Sequence, residues 1–407
     1  MESSRKIIAD TMRILVICDH FYPEEFIIND LVKEWSTSGH DIHVITPNPA
    51  YPKGIIYEGY KNRLFQTTYW DKIIIHRVFT VQGFHRSLIR KILNYLTFPV
   101  LGTIHAVLLA RKFDRIFVYQ VGPLTQAIPA IIARKLFNKK VAIWSFDIWP
   151  DTVYAYGFKK TKVLSSLLNK LVKFIYRNCN TIFIPSEGFK KAYTKYTEEY
   201  KLIYAPNWCI NNDPVKHTGF SFAGKTNFTF AGNIGKVQNL SNVILGFELA
   251  LQANKEIILN IIGDGSFLPD LKNLVQEKTI PNVVFWGRKP YNEMNNYYEA
   301  SDFLIISLAP DPVYDLYIPA KFQSYLQTGK PILSIMNGQV SEFVSQHDIG
   351  LVATPDNIED IAEKIIQCTL MSKETLNSIQ MNSRKLLRSN FDRMKIIETI
   401  TNELIKG

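Results

Sequence analysis

Short apolar runs alternate with helical patterns along the first half of the chain. The run Arg13–Asp19 predicts a buried parallel strand, Ile27–Ser38 has helical periodicity, and Asp41–Thr46 predicts the next strand. Four further strands are predicted in this half, at Ile73–Phe79, Arg115–Gln120, Val141–Phe146 and Thr181–Pro185. The alternation of strand and helix predicts a doubly wound α/β domain.

The same alternation restarts after a polar stretch that ends near Lys225. We therefore expect two Rossmann-like domains, 1–207 and 208–388, with a C-terminal helix at about 389–407 that packs back on the first. In such domains ligands bind at the carboxyl ends of the strands, so a cleft between the domains is the expected site. The second half is predicted to contain strands and helices in this order: strand Asn227–Ala231, helix Gln238–Ala253, strands Ile257–Gly263 and Asn282–Gly287, helix Asn292–Ala300 and strand Phe303–Ser307.

Composition and charge indicate a compartment and a class of partner. With 46% hydrophobic and 21% charged residues, the chain is typical of globular proteins. Its four cysteines are far apart and lack CxxC spacing, and its N-terminal segment is short and polar. Both features predict a cytoplasmic protein that is not exported. Residues 1–200 carry 28 Lys and Arg against 16 Asp and Glu, whereas the remainder carries 19 against 21. This one-sided positive charge suits nucleic acid, an anionic membrane face or phosphorylated ligands.

Two segments of the basic half resemble membrane-surface elements. Phe84–Phe113 is apolar but interrupted by charged residues, Pro99 and Gly102, so we expect that it does not cross a bilayer. Lys159–Arg177 places Leu and Ile at helical spacing against six Lys and Arg, a pattern typical of helices that lie on anionic lipid. The alternative is that both segments pack on the sheet and expose only a basic face. If the first segment enters the interface, the expected contacts are Leu88, Ile92, Leu96 and Phe98.

Glycine-rich turns follow two strands of the second half. In Phe230–Leu240 (FAGNIGKVQNL), two glycines, a helix N-terminus and Lys236 predict a diphosphate cradle, the alternative being a plain turn with an exposed lysine. The GDG sequence at Gly263 lacks the third glycine of a dinucleotide fingerprint, because Leu268 occupies that position. No Asp-x-Asp pair occurs in the sequence, so no metal is expected to hold a diphosphate.

A carboxylate follows the very apolar strand of the first half that ends at Phe146. Asp147 at this strand end is expected to orient or deprotonate a hydroxyl group. The alternative is a helix N-cap, for which Asp151 is the better candidate because Thr152 begins a helix-like stretch.

Seven segments, in the correct order, resemble the retaining family-four glycosyltransferases of GT-B fold. Within that family they are most similar to the bacterial L-fucosamine (N-acetylfucosamine) transferases of O-antigen and capsule biosynthesis. The segments are RILVICDHFYPEE with GHDIHVITPNPAYPKG, FDIWPDTVYAYG, PSEGF with APNW, FAGNIGKVQNL, IIGDGSFLPDLK, VVFWGRKPYNEMNNYYEASDFLIISL and PAKFQSYLQTGKPIL.

The resemblance implies a UDP-sugar held mainly by the C-terminal domain. By position, it implies that Gly232, Asn233 and Lys236 contact the diphosphate, Arg288 the nucleoside, and Lys321 the phosphates or donor sugar. The other residues of the implied donor set are Gln238, Asp264, Gly287, Ser324 and Tyr325.

The N-terminal domain is implied to bind the acceptor. The resemblance places His20, Glu24 and Tyr51 on the acceptor side, and Asp147 at the polar position that meets the reacting hydroxyl.

The chain departs from the common family pattern in three places. Leu316 and Ser324 stand where most members have two glutamates, and Asn233 stands where an arginine is common. A serine gives the nucleotide ribose a weaker contact than a glutamate, and the fucosamine branch tolerates a small hydroxyl residue there. Lys236 and Lys321 remain as the main cations.

We therefore expect a metal-independent, retaining glycosyltransferase that uses no cofactor and takes a UDP-sugar as substrate. It would move N-acetyl-L-fucosamine, or a related N-acetylated sugar, to a polyprenyl-diphosphate-linked glycan. Its location would be cytoplasmic and peripheral at the anionic inner-membrane surface. One alternative is a UDP-sugar 2-epimerase of the same architecture. A non-enzymatic nucleic-acid binder is the second, and it lacks a groove-reading motif, so no nucleic-acid partner is expected.

Overall fold

The structure, a computed structural model, describes residues 11–83, 87–155, 158–209, 220–222 and 224–406. The chain divides into two compact units, which are described separately below. The first comprises Met1–Ala205 together with Ile397–Gly407, and the second comprises Pro206–Ile396.

An eight-stranded sheet forms the first unit, in the order β3-β4-β2-β1-β5-β6-β7-β8. All neighbouring pairs are parallel except β3 with β4, which are antiparallel. The two outermost strands, β3 and β8, were not predicted from the sequence. The strands are β1 (Arg13–Cys18), β2 (Asp41–Pro47), β3 (Phe65–Trp70), β4 (Ile73–Val78), β5 (Arg115–Gln120), β6 (Lys140–Ser145), β7 (Thr181–Ile184) and β8 (Leu202–Tyr204).

The register of the central strands brings their carboxyl ends together. Strands β1, β5 and β6 are buried from their second residue onward, which explains their continuous apolar runs. Cys18 lies beside Tyr119, and Gln120 beside Ser145. The residues that follow these strands therefore share one edge of the sheet.

Six helices cover this sheet, and the end of a later helix returns to it. Trp35 donates a hydrogen bond through Nε1 to Oγ1 of Thr401 at 2.8 Å, and Arg115 donates to the carbonyls of Leu404 and Ile405 at 2.8 and 2.7 Å. These contacts anchor the C-terminal segment. The helices are α1 (Ile27–Thr37), α2 (Leu88–Leu109), α3 (Ile128–Phe137), α4 (Asp151–Ala155), α5 (Lys162–Arg177) and α6 (Phe189–Tyr193).

Helix α2 runs unbroken through Pro99 and Gly102, two of the residues that interrupt the apolar run in the sequence. The hydroxyl of Thr103 donates to the Pro99 carbonyl at 2.5 Å. At Gly102, a Cβ would lie 3.2 Å from Cγ of Pro129, so the glycine lets α2 approach α3 closely. The first residues of the predicted segment, 84–86, and the side chain of Leu88 lie outside the described residues.

The second unit contains a six-stranded parallel sheet in the order β11-β10-β9-β12-β13-β14. Buried apolar side chains fill both faces of its inner strands. The strands are β9 (Thr226–Ala231), β10 (Ile257–Ile262), β11 (Val283–Gly287), β12 (Phe303–Ser307), β13 (Ile332–Ile335) and β14 (Gly350–Val352). The helices are α7 (Leu240–Ala253), α8 (Leu268–Glu277), α9 (Met294–Ala300), α10 (Lys321–Thr328), α11 (Gln339–Gln346), α12 (Ile358–Thr369), α13 (Lys373–Asn390) and α14 (Arg393–Lys406), whose end joins the first unit.

Candidate active site

Asp147 lies at the carboxyl edge of the first sheet, two residues after the end of β6. Its Oδ2 accepts the backbone N–H of Gly122, which follows β5. Its own backbone carbonyl accepts the hydroxyl of Tyr193 at 3.5 Å. A carboxylate oxygen held by a neighbouring strand end has a fixed orientation, which suits a group that must meet one substrate atom.

His20 and Glu24 form a pair on the loop after β1. His20 donates through Nδ1 to Oε2 of Glu24 at 2.9 Å. The other carboxylate oxygen, Oε1, accepts the N–H groups of Ala50 and Tyr51 at 2.7 Å each. The His20 ring stacks on Phe26 at 4.7 Å and meets the edge of Tyr51 at 5.0 Å. Three of the four acceptor-side candidates are thus joined by direct contacts.

The charges at this edge influence one another. Burial raises the pKa of Asp147 to about 6, against the opposing effects of the Gly122 hydrogen bond and the His20 charge. Burial also raises the pKa of Asp19, and the charge of Glu24 adds to that rise. Burial lowers the pKa of His20, but the Glu24 hydrogen bond and the neighbouring carboxylates outweigh it, so the pKa of His20 is raised. At pH 7 Asp147 is mainly ionised, and the raised pKa of His20 favours the charged form of its ring. Asp147 can therefore accept a hydrogen bond from one hydroxyl group while His20 forms a hydrogen bond with a second oxygen.

Three loops at the carboxyl edge of the second sheet are stacked by backbone hydrogen bonds. Gly232 N–H donates to Ile262 O, Ile234 N–H to Asp264 O, and Gly263 N–H to Gly287 O, each at 2.9 Å. Gly263 has a φ of +145°, and a Cβ there would lie 1.8 Å from the Gly232 carbonyl oxygen. This close approach requires glycine.

Lys321 is the first residue of α10, and its side-chain amine lies beside this stack of loops. Its Nζ lies 3.8 Å from the ring centroid of Phe230, and a Cβ at Gly232 would lie 3.1 Å from the same nitrogen. Burial lowers the pKa of Lys321 to about 7. A desolvated amine beside a glycine turn is arranged to gain a full charge when an anion arrives.

The other donor-side candidates differ in accessibility. Asn233, Lys236, Asp264 and Arg288 are exposed. Asp264 accepts the N–H of Gly265 at 2.8 Å, and Gln238 accepts the N–H of Gly235 at 2.9 Å, so both side chains shape the turns. All of the donor-side candidates except one therefore keep some exposure to solvent.

Tyr325 is the exception, and its predicted donor contact is wrong for this conformation. Its side chain is fully buried, and its hydroxyl accepts the N–H of Ala231 at 3.2 Å. The tyrosine therefore supports the end of β9 from beneath. Ser324, one residue earlier, is half-buried, and its Oγ lies 3.9 Å from Sγ of Cys209.

Replacing Gly263 by alanine is expected to lower the stability by about 2–4 kcal/mol and to weaken UDP binding, because the new Cβ would displace the Gly232 loop. Gly39→Ala is the matched control. Gly39 also has a positive φ, +97°, but a Cβ there meets no atom within 4 Å, so only backbone strain of about 1 kcal/mol is expected. Thermal unfolding and UDP titration measure both effects. Equal losses in the two variants would contradict the stacked-loop interpretation.

Sequence reasoning missed three residues at the first edge. Gln126 accepts the N–H of Asp19 at 2.8 Å and donates to Val121 O at 3.1 Å, so it ties the loops after β1 and β5. Tyr95 of α2 faces the carboxylates, since the charges of Asp19 and Asp147 add to the burial that raises its pKa. Arg77, a cation inside the apolar strand β4, is buried below the same loops. Its position in the run IIIHRV was the available signal.

Within the described residues, no group of three or more His, Cys, Asp or Glu side chains is arranged to hold a metal ion.

Comparison with known proteins gives the same architecture. Residues 218–386 match the family model described as "Glycosyl transferases group 1". The chain is 24% identical over 257 residues to the probable glycosyltransferase WbjE of Pseudomonas aeruginosa, which covers 60% of this chain and 63% of that relative. It is 22% identical over 404 residues to the putative colanic acid biosynthesis glycosyl transferase WcaI of Escherichia coli (strain K12), covering 93% and 97%. The crystal structure of Anabaena HepE in complex with UDP has a TM-score of 0.69 at 16% identity, covering 97% of this chain and all of that one.

Two Rossmann-like α/β units with parallel sheets, matched over nearly the whole chain by HepE, define the GT-B fold and confirm the predicted fold class. Within that fold, residues 218–386 of the second unit are similar to the group 1 glycosyl transferases.

Proposed function

We propose that the protein transfers a sugar from a UDP-sugar to a carbohydrate acceptor, with retention of configuration and without a metal. The observation that carries this proposal is the half-buried Lys321, whose amine lies against the Gly232 turn. A diphosphate needs compensating charge and N–H donors, and this stack offers both. HepE, a structure of the same fold, was determined with UDP.

In the proposed reaction, the bond between the donor sugar and its phosphate oxygen breaks while the acceptor oxygen bonds to the same sugar carbon. The acceptor hydroxyl attacks from the face of the leaving group. Asp147 orients this hydroxyl, and its proton passes to the departing phosphate oxygen, so that UDP leaves. Lys321 and the stacked backbone stabilise the negative charge that develops on the diphosphate.

The donor sugar is proposed to be N-acetyl-L-fucosamine or a related N-acetylated sugar, and the acceptor a polyprenyl-diphosphate-linked glycan of capsule or O-antigen synthesis. The sequence resemblance supports the donor. The name of the WcaI relative, which refers to colanic acid biosynthesis, supports a polysaccharide pathway.

A lipid-linked acceptor agrees with the surface of α2. In the described part of the chain, the segment Ile89–Lys112 is the one helical stretch long and apolar enough to span a membrane, and a core helix of a soluble protein can pass the same test. One face is buried, with Phe98 only 2% exposed, so the expected interface contact of Phe98 is wrong. The opposite face is an apolar stripe that recurs every three or four residues: Ile89, Leu93, Leu96, Val100, Ile104 and Leu108.

This stripe suits a helix that lies in the membrane plane. Ile89 and Leu108, at its two ends, are 71% and 70% exposed. Basic residues flank it, at Arg90 and Lys91 on one side and at Arg111 and Lys112 on the other. Apolar burial plus attraction to anionic headgroups binds such helices, and Tyr95 on the same helix faces the Asp147 edge. We propose peripheral attachment to the anionic inner membrane, with a cytoplasmic active site.

We expect the wild type to bind phosphatidylglycerol vesicles, with part of the binding resistant to high salt. Replacing Leu93, Leu96 and Val100 together by serine should weaken the salt-resistant part strongly, because these side chains form the middle of the exposed apolar stripe. Leu370→Ser, an exposed leucine of the second unit, is the control and should bind normally. Co-sedimentation with liposomes measures this. A wild type that ignores anionic vesicles at low salt contradicts the membrane proposal.

A donor screen tests the enzyme class. UDP-sugars are incubated with a bacterial lipid extract as acceptor, and UDP release is measured with and without EDTA. We expect release that requires the extract and persists in EDTA. Rapid conversion of a UDP-sugar without extract would favour the 2-epimerase, and loss of turnover that Mn²⁺ restores would refute metal independence.

A further inference from the structure

Two buried side chains of opposite charge hold the same pair of loops in the first unit. Glu24, 4% exposed, lies on the loop after β1 and accepts the N–H groups of Ala50 and Tyr51 on the loop after β2. Each N–H lies 2.7 Å from Oε1. The carboxylate therefore crosslinks the two loops through backbone groups.

Arg77, 1% exposed, makes a second crosslink between them. It donates through Nη1 to Pro47 O at 3.1 Å and through Nη2 to Tyr22 O at 2.5 Å, while Nε donates to Thr68 Oγ1 at 3.1 Å. Among the described residues no carboxylate lies within salt-bridge distance of Arg77. A buried cation of this kind is costly unless its donors are satisfied, and here they are satisfied by the loop carbonyls.

His20 lies at the site edge, on one of the two loops that Glu24 and Arg77 crosslink. Its Nδ1 is bonded to Glu24, and Phe26 and Tyr51 pack on its ring. Nε2 has no hydrogen-bond partner among the described residues. Since Nδ1 donates to Glu24, Nε2 accepts a hydrogen bond in the neutral ring and donates one when His20 is protonated.

The charges around His20 select what it can contact. The titratable groups that act on it are Asp19, Glu24 and Asp147, all carboxylates, and Tyr95 of α2 faces two of them. A phosphate at this edge would be repelled by the carboxylates of Asp19 and Asp147. A hydroxyl group is uncharged and can donate to Asp147 and form a hydrogen bond with His20 Nε2 without that repulsion.

We propose that Glu24 and Arg77 are positioning residues that fix His20, so that its Nε2 forms a hydrogen bond with a hydroxyl group of the acceptor sugar, whose hydroxyls and not its diphosphate occupy this edge. The proposal rests on the proposed transfer reaction.

The test uses Glu24→Gln in the full-length protein, with Glu25→Gln as a matched control because Glu25 is the adjacent, exposed glutamate. With the lipid extract as varied acceptor, we expect Glu24→Gln to raise the half-saturating acceptor concentration at least 10-fold, with UDP affinity unchanged. Glu25→Gln should match the wild type. Arg77→Lys keeps the positive charge but loses the planar guanidinium group that reaches two carbonyls at once. It should show the same acceptor defect to a smaller extent.

Two further readouts separate positioning from a loss of fold. By NMR of the labelled imidazole carbons, assigned with His20→Asn, the pKa of His20 should fall in Glu24→Gln and stay unchanged in Glu25→Gln. Undecaprenyl diphosphate without a sugar should inhibit wild type and Glu24→Gln equally, because its diphosphate binds elsewhere. Unchanged acceptor saturation and an unchanged His20 titration in Glu24→Gln would overturn the proposal. A wild type that releases no UDP with any donor would instead refute the proposed function, while the titration would still test the crosslink.

Discussion

Asp147→Asn is expected to reduce the transfer rate by roughly 10²–10³-fold, the range for loss of a positioned carboxylate. The amide can still accept the Gly122 N–H, so the loop geometry is retained. Because the pKa of Asp147 is raised to about 6, wild-type activity should increase between pH 5 and 7, with a midpoint near 6. The variant should lose this pH dependence. Steady-state UDP release across pH measures both.

The same substitution should not destabilise the protein, and the sign follows from the raised pKa. A carboxyl group whose folded pKa exceeds its unfolded value contributes stability below the unfolded pKa, and this is lost as pH rises through the folded pKa. Above pH 6 the ionised Asp147 therefore costs about 3 kcal/mol at most, which asparagine removes. We expect an equal or higher Tm for Asp147→Asn at pH 7.5 and no gain below pH 4.

Asp151→Ala is the control for the helix-cap alternative. Asp151 begins α4, so its replacement by alanine should affect stability more than rate. A normal rate with a lower Tm in Asp147→Asn would mean that Asp147 serves the structure and not the reaction.

Lys321→Met is expected to weaken UDP binding about 10- to 150-fold, equivalent to about 1.5–3 kcal/mol for one charge-assisted contact. The exposed Lys236 should matter less, and Lys236→Met should lower the affinity less than about 5-fold. The sequence resemblance implied that both lysines are phosphate ligands. Lys321 is less exposed than Lys236, so we expect it to contribute more to UDP affinity. Calorimetric titration with UDP compares the two.

Lys321 should also couple UDP binding to proton uptake. Its pKa, lowered to about 7 by burial, leaves the free amine mostly neutral at pH 8, and a diphosphate nearby favours the ammonium form. Affinity should therefore fall as pH rises from 7 to 9, and the calorimetric heat at pH 8 should depend on the ionisation enthalpy of the buffer. Lys321→Met should lack this dependence. Proton uptake that persists in Lys321→Met would assign it to another group.

The sequence predicted six strands of the first sheet and β9 to β12 of the second, but it missed β3, β8, β13 and β14. Strands such as β1 and β6 are covered on both faces, so their residues form continuous apolar runs. Strand β3 alternates exposed and half-buried positions, and β8, β13 and β14 have only three or four residues, so none gives a strong pattern. Pro99 and Gly102 were interpreted as interruptions of an apolar run, but the helix continues through both, and Gly102 makes room for Pro129 of another helix.

By itself, the sequence determined where the strands end and hence which residues lie at the site edges, Asp147 and Gly232 among them. Strand periodicity is a local property, and parallel strands bring their ends to one edge whatever packs around them. Only the tertiary structure decided that Lys321 is half-buried, that Tyr325 supports a strand from below, and that Arg77 crosslinks two loops. Burial and charge environment depend on elements distant in the chain, so a linear pattern does not encode them locally.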